Sequence, residues 1–142
     1  MNRTADVSTA RIATLRTTGR SAHGDAARTL AFAQGLYFAA TGIWPLVHMR
    51  SFEAVTGPKV DKWLVKTVGA LVSVVGGVLV SAAARRTVTA DTAALAIGSA
   101  AALGAIDTIY ASKKRIAPIY LADAVVEGVI VSGWAAALSS GA

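Results

Sequence analysis

The stretch at residues 119–138, IYLADAVVEGVIVSGWAAAL, joins an apolar run of bilayer length with two acidic side chains. An α-helix rises about 1.5 Å per residue, so roughly 20 residues cross the ~30 Å hydrocarbon layer. Asp123 and Glu127 are four residues apart, and this spacing places both carboxyls on one helix face. Because an ionisable group is costly at membrane depth, the stretch predicts a transmembrane helix whose acidic face turns towards the protein.

Three further apolar blocks precede this stretch, and charged loops separate them. The chain has 142 residues, of which 54% are hydrophobic and 15% are charged, and its mean hydropathy is +0.55. Soluble domains contain about 25% charged residues, so the composition favours a membrane protein. The four blocks predict an all-α fold, a four-helix transmembrane bundle, with spans at about 29–48, 64–84, 91–111 and 118–138.

Each block also carries small side chains at spacings of three or four residues, which let helices approach closely in lipid. They are Gly35, Ala39 and Gly42 in the first block, Gly69, Ser73, Gly77 and Ser81 in the second, Ala96, Ala100 and Gly104 in the third, and Ala124, Gly128, Ser132 and Ala136 in the fourth. A high alanine content alone could also produce such rows.

Residues 1–28 form a polar segment with five arginines. This composition predicts a flexible, basic N-terminal tail ahead of a membrane domain at residues 29–142. The whole chain carries a net charge of +6, and because its basic residues flank the apolar blocks, this charge favours anionic lipid head groups over nucleic acid. Membrane lipid is thus the expected partner, with a second copy of the chain or a larger membrane complex as further possibilities.

Sequence motifs for the common cofactor and metal chemistries do not occur in the chain. It has no cysteine, and its two histidines, His23 and His48, are too far apart for a histidine metal site. No phosphate-binding loop, dinucleotide-binding glycine pattern or HExxH sequence is found. We therefore expect neither a cofactor nor a metal ion, and no residue is singled out as catalytic.

The acidic residues of the last two blocks carry the main chemical signal. Measured from the loop at residues 113–115, Asp123 lies roughly 6 Å, Glu127 roughly 12 Å and Asp107 roughly 5 Å into the membrane. An antiparallel bundle brings further polar side chains into the same half. The candidates for ligand binding or proton titration are Glu127, Asp123, Asp107, Lys66, His48, Tyr110 and Tyr120.

Several of these candidates also have a purely structural interpretation. Lys66 and the two tyrosines occupy positions expected of interfacial side chains, and Asp107 could pair with Lys66. Asp123 is shallow enough to reach water or the basic loop. Glu127 is the deepest acid, so it needs either a hydrogen-bond partner or a function. We expect it to point into the bundle, with Asp107, Lys66 or a tyrosine hydroxyl nearby.

Three function classes fit this pattern. The favoured one is a small membrane protein that binds a lipid-like or small amphipathic ligand in a half-buried acidic pocket, or that acts as an accessory subunit. A proton-coupled transporter is the first alternative, and because four helices rarely enclose a path it would work as a homo-oligomer. An intramembrane acid–base enzyme such as an isomerase is the second, and it needs acids that face each other across a cavity.

The chain also resembles small bacterial four-span membrane proteins. The resemblance lies in Trp44 and Pro45 near the end of the first block, in a charged loop with Gly57 and Pro58, and in the acids of the last two blocks. DoxX-like proteins are similar more loosely, in size and in number of spans. The resemblance covers residues 36–134; it implies four spans in a bacterial inner membrane and gives no activity.

Charge alone does not decide the orientation of the bundle, because seven basic residues lie on each side of it. Short loops count for more than a long tail in the positive-inside rule, yet this tail precedes the first helix, which usually dominates. We expect both termini in the cytoplasm.

Overall fold

The computed structural model describes the backbone of residues 3–139 and the side chains of residues 24–139. The described chain forms five helices and no strand: α1 (Arg3–Val47), α2 (Met49–Thr56), α3 (Lys62–Ala84), α4 (Ala90–Ser112) and α5 (Ile119–Ser139). The predicted all-α fold is therefore confirmed. The predicted flexible tail, residues 1–28, falls largely outside the described side chains and stays a prediction.

Four helical segments have the length and the hydropathy needed to cross a membrane. They are Gly24–Val47, Lys62–Ala84, Ala90–Ser112 and Ile119–Ser139. The remaining helix, α2, is short and lies between the first two spans. The chain is thus a small integral membrane protein built as a four-helix bundle, as the apolar blocks predict.

Side-chain caps fix the start of two helices. His48 Nδ1 accepts a hydrogen bond from the Ser51 backbone N–H at the beginning of α2. Thr89 Oγ1 accepts one from the Thr92 backbone N–H at the beginning of α4. Such caps satisfy backbone donors that the first helical turn leaves unpaired, and each contributes about 1 kcal/mol.

Glycines, not large side chains, form the contact between α1 and α3. A Cβ atom added to Gly42 would lie 2.5 Å from the Gly69 carbonyl oxygen, and one added to Gly76 would lie 2.5 Å from the Ala39 nitrogen. Gly35 faces Gly76 in the same contact. No side chain fits at such distances, so the two backbones touch directly, as close packing in lipid requires.

The rows of small residues differ from helix to helix. Ala96 and Ala100 of α4 are fully buried, as their row predicts. On α3 the assignment of Gly77 is wrong, because Gly77 faces open space while Gly76 makes the contact. Gly128 of α5 also has nothing in front of it, and Gly128 and Ser132 are exposed, whereas Ala124 is half-buried. Most of that row therefore lies on the outer surface.

A core around Trp134 fills the half of the bundle away from loop 113–115. Trp134 is fully buried, and its Nε1–H donates a 2.8 Å hydrogen bond to Gln34 Oε1. Gln34 Nε2 in turn donates a 2.8 Å hydrogen bond to the Ala96 carbonyl oxygen. Leu79 and several alanines pack around the indole ring. This core ties α5 to α1 and α4 and leaves the acids in the other half.

Candidate functional site

A cavity of 390 Å³ lies in the half of the bundle that contains loop 113–115. All four spans contribute to its walls, and most of the lining side chains are apolar. Phe52 of α2 and Lys59 of the next loop line its end at the membrane surface. Its volume lies within the range of about 300–1,000 Å³ that small-molecule sites occupy.

Helices α3 and α4 contact each other far less than α1 contacts α3, and we infer that the cavity opens sideways between them. Three lining residues on these two helices, Leu64, Val68 and Ile106, are 47%, 45% and 52% exposed. Because these residues belong to membrane spans, their exposed surface faces the hydrocarbon of the bilayer. The opening therefore connects the cavity with lipid.

Three acidic side chains line the same cavity: Asp107 from α4, and Asp123 and Glu127 from α5. Asp107 is 7% exposed and Glu127 is 1% exposed, whereas Asp123 is half-buried. Within residues 24–139, none of the three forms an ion pair with a basic side chain. Three carboxyls thus share a largely apolar site, and none of them is paired with a basic side chain of the described residues.

Glu127 is positioned by a glycine on the neighbouring helix. A Cβ atom added to Gly104 would lie 3.1 Å from the Glu127 Cβ, so the absence of a side chain at Gly104 makes room for the glutamate. Glu127 Oε2 is the one buried side-chain polar atom, among those described, that has no hydrogen-bond partner. An orphaned buried acceptor is rare in folded proteins and calls for an explanation.

Of the other two acids, Asp123 is hydrogen-bonded to a tyrosine of α1. The Tyr37 hydroxyl donates to Asp123 Oδ1. Asp107 of α4 lines the same cavity. The hydrogen bond therefore joins α1 to α5 at the acidic side of the cavity.

A second cavity, of 280 Å³, lies on the other side of the hydrogen bond between Tyr37 and Asp123, between α1, α2 and α5. Tyr37, Asp123 and Tyr120 line both cavities. The hydrogen bond between Tyr37 and Asp123 thus lies in the wall that separates them.

Tyr37 and Gln34 are two polar residues of the helix bundle that the sequence analysis did not select. Both lie in the first apolar block, three residues apart, so they share a helix face. The available signal was a glutamine within an otherwise apolar span, because a buried amide needs partners. Its partners, Trp134 and Ala96, come from helices distant in sequence, and only the folded bundle brings them together.

The membrane-surface end of the cavity is covered by the loop after α2. Lys59 Nζ donates a 2.9 Å hydrogen bond to the Thr56 carbonyl oxygen and lies 4.9 Å from the Tyr120 ring centroid. Glu53 accepts hydrogen bonds from Lys62 Nζ at 2.9 Å and from the Lys59 backbone N–H at 3.0 Å. The hydrogen bond from Lys62 and the one from Lys59 hold the pKa of Glu53 below its ordinary value.

The remaining candidates from the sequence lie outside the cavity. His48 is exposed and caps α2. Lys66 is exposed on α3 and does not line the cavity. Tyr110 is 48% exposed and has Lys113 Nζ 6.0 Å from its ring centroid. The structure thus brings together Glu127, Asp123, Asp107 and Tyr120, and it adds Tyr37.

No group of three or more His, Cys, Asp or Glu residues in the described part of the chain could hold a metal ion. No family model, curated protein or solved structure matches this chain. The cavity combines carboxyl acceptors with apolar walls.

Proposed function

We propose that this membrane protein binds a lipid-like or small amphipathic molecule, whose polar end lies at the acids of the cavity. The observation that carries the proposal is the buried, unpartnered carboxyl of Glu127 in the wall of a cavity of ligand size. An unsatisfied buried acceptor costs about 1–3 kcal/mol of stability. A ligand that supplies the missing donor regains this free energy when it binds.

The position of the opening supports a ligand that arrives from the bilayer. The residues at the opening, Leu64, Val68 and Ile106, are apolar and face lipid. At the membrane surface, in contrast, Phe52 and Lys59 line the end of the cavity. An amphipathic molecule can keep its apolar part between α3 and α4 while its polar group reaches the acids.

The test compares a tryptophan substitution that fills the cavity with the same substitution on the outer surface. Val72 lines the cavity, whereas its neighbour Leu71 is 63% exposed on the lipid side of α3. The unaltered chain, Val72→Trp and the control Leu71→Trp are each incorporated separately into phosphatidylcholine nanodiscs. Saturable binding of tritiated dodecylamine and dodecanol is measured by scintillation proximity, with empty nanodiscs as the background.

We expect saturable binding of at least one probe to the unaltered chain and to Leu71→Trp, and its loss in Val72→Trp because the indole occupies the ligand volume. Equal binding to all three proteins would show that the probes use the outer surface. No saturable binding of either probe would contradict the proposal and favour the accessory-subunit alternative.

A proton-coupled carrier is a second candidate, supported by the one-sided position of the cavity. Glu127 lies about 12 Å along α5 from its start, and the Trp134 core fills the opposite half. A carrier would expose such a site to each side in turn. Proteoliposomes loaded with a pH-sensitive dye test it: proton flux that Glu127→Gln abolishes would favour the carrier over simple binding.

The isomerase alternative is less well supported by the geometry. Acid–base catalysis across a cavity needs two carboxyls on opposite walls, with the substrate between them. Asp107 comes from α4, and Asp123 and Glu127 come from the adjacent α5, which contacts α4 at Gly104. The acids therefore lie on neighbouring helices and not on opposite walls.

A bacterial inner membrane and cytoplasmic termini are the proposed location and orientation, and they place the acidic cavity at the outer half of the membrane. The test is labelling of single cysteines in whole cells with a membrane-impermeant maleimide. Val60 is 97% exposed in the loop after α2, so Val60→Cys should react from outside, whereas Arg86→Cys, between α3 and α4, should not. The reverse pattern would overturn the orientation.

Association with a second copy or with a larger membrane complex is also a proposal. The outward row on α5, which includes Gly128, is compatible with such contact. Cross-linking in native membranes followed by mass measurement tests it, and a species of single-chain mass alone would contradict it.

A further inference from the structure

The charges around the cavity define what its ligand must supply. Of the elements packed around Glu127, α1 contributes Tyr37, α4 contributes Asp107 and α5 contributes Asp123. Helix α3 contributes only apolar side chains and glycine to the lining. Lys59 is the one basic residue of the lining, and its Nζ is engaged with Thr56 and Tyr120 at the surface end.

The hydrogen-bond inventory points in the same direction. Tyr37 has one hydroxyl proton, and it donates that proton to Asp123. Glu127 Oε2 has no hydrogen-bond partner among the described side chains. Asp107 and Asp123 add further carboxyl oxygens to the same lining. The site therefore offers several acceptors and few donors.

From this inventory we propose that the polar group of the ligand is a protonated primary amine, carried by a single-chain amphipathic molecule. The inference rests on the proposed binding function and names the ligand class. A primary ammonium provides one positive charge and three hydrogen-bond donors, which can reach separate acceptors in the cavity. Its alkyl chain lies between α3 and α4, against Leu64, Val68 and Ile106.

Other polar groups match the site less well. A metal ion needs ligands that converge, and the described acids do not form such a group. A quaternary ammonium has the charge but no N–H, so it leaves Glu127 Oε2 without a donor. An alcohol has a single donor and no charge. A carboxylate or phosphate adds negative charge beside three acids, and charge repulsion opposes its binding.

The test compares three dodecyl compounds that differ only in the polar group: dodecylamine, dodecanol and dodecyltrimethylammonium. Each is titrated into phosphatidylcholine nanodiscs that contain the unaltered chain, Glu127→Gln or the control Asp91→Asn. Asp91 is an exposed acid in the first turn of α4, at the end of the bundle away from the cavity. Empty nanodiscs give the partition of each compound into lipid.

We expect dodecylamine to bind the unaltered chain at least about tenfold more tightly than either other compound, because hydrogen bonds to charged groups are the strong ones. Glu127→Gln should remove this preference and leave the affinity for dodecanol unchanged. The retained dodecanol affinity also shows that the variant is folded. Asp91→Asn should behave as the unaltered chain.

The outcomes separate this inference from the proposed function. Equal affinity for all three compounds, lost in Val72→Trp, would overturn the amine preference while the cavity still binds amphipathic molecules. Dodecyltrimethylammonium that binds as tightly as dodecylamine would also overturn it, because charge without donors would suffice. If none of the three binds saturably, both proposals fail. The comparison of compounds on the unaltered chain decides the question even if a variant does not fold.

Discussion

At the scale of single residues, Glu127 is where the requirements of stability and of the proposed ligand binding diverge. Its side chain is 1% exposed, and its Oε2 has no partner among the described residues. Burial of a carboxyl without a donor weakens the ligand-free fold. Residues that bind ligands often carry such a cost, because the same group serves a purpose that the fold alone does not require.

Replacement of Glu127 by leucine should therefore stabilise the ligand-free protein. The change removes the unpaired acceptor and keeps an apolar side chain against Gly104, so we expect the free energy of unfolding to rise by about 1–3 kcal/mol. Unfolding in mixed detergent micelles measures it. Val129→Leu is the control, since Val129 is 67% exposed on the same helix. A loss of stability in Glu127→Leu would show that the carboxyl has a partner in the fold.

The deep acid was predictable from sequence, whereas its surroundings were not. The i,i+4 spacing of Asp123 and Glu127 within a span-length apolar run indicates a protein-facing acidic side. The sequence did not indicate which of Tyr37, Tyr110 and Tyr120 lies nearest to that side. The direction of each tyrosine depends on how its helix is rotated about its own axis, and the sequence does not specify this rotation. Rotation depends on the glycine contact between α1 and α3 and on the Trp134 core, which involve residues far apart in the chain.

At the scale of helices, the contact between α1 and α3 sets the shape of the bundle. Gly69 and Gly76 of α3 lie seven residues apart and both touch the backbone of α1. Four-residue spacing predicts Gly69, Ser73 and Gly77 on one face, but over two turns a seven-residue step stays closer to a neighbouring helix than an eight-residue one. The helices were predictable from apolar length, and the facing glycine was not.

The two adjacent glycines of α3 should respond oppositely to alanine. Gly76→Ala places a methyl group 2.5 Å from the Ala39 nitrogen, so we expect a loss of about 1–3 kcal/mol from overpacking. Gly77→Ala meets open space and should be neutral or add up to about 1 kcal/mol, because alanine favours the helix. Unfolding in mixed micelles compares them. Similar losses in both variants would contradict the proposed helix contact.

The loop after α2 should loosen in acid. Because hydrogen bonds from Lys62 and Lys59 lower the pKa of Glu53, its contacts stabilise the loop above the ordinary glutamate pKa of 4.5. They are lost as the pH falls through the lowered value. A nitroxide on Val60→Cys should gain mobility in that range, and with Glu53→Gln it should be mobile at every pH. A label that stays equally immobile in Glu53→Gln at neutral pH would exclude this role for Glu53.

At the scale of the whole molecule, the bundle is divided into two unlike halves. One half is closed by the Trp134 core and the hydrogen bond from Trp134 to Gln34. The other half contains the acids, the 390 Å³ cavity and the opening between α3 and α4. The sequence predicts this division, since the half away from loop 113–115 has few ionisable side chains within its apolar blocks. The opening itself depends on how far α3 and α4 diverge, which no local pattern specifies.

The central claim is that an amphipathic molecule occupies the acidic cavity through this opening. Photolabelling tests it most directly: a dodecylamine with a diazirine in its alkyl chain is activated in nanodiscs, and the labelled residues are identified by mass spectrometry. We predict labels on Leu64, Val68 and Ile106, suppressed by excess dodecylamine and absent in Val72→Trp. Labels spread evenly over outward residues such as Leu71 and Val125, unaffected by competitor or by Val72→Trp, would contradict the claim.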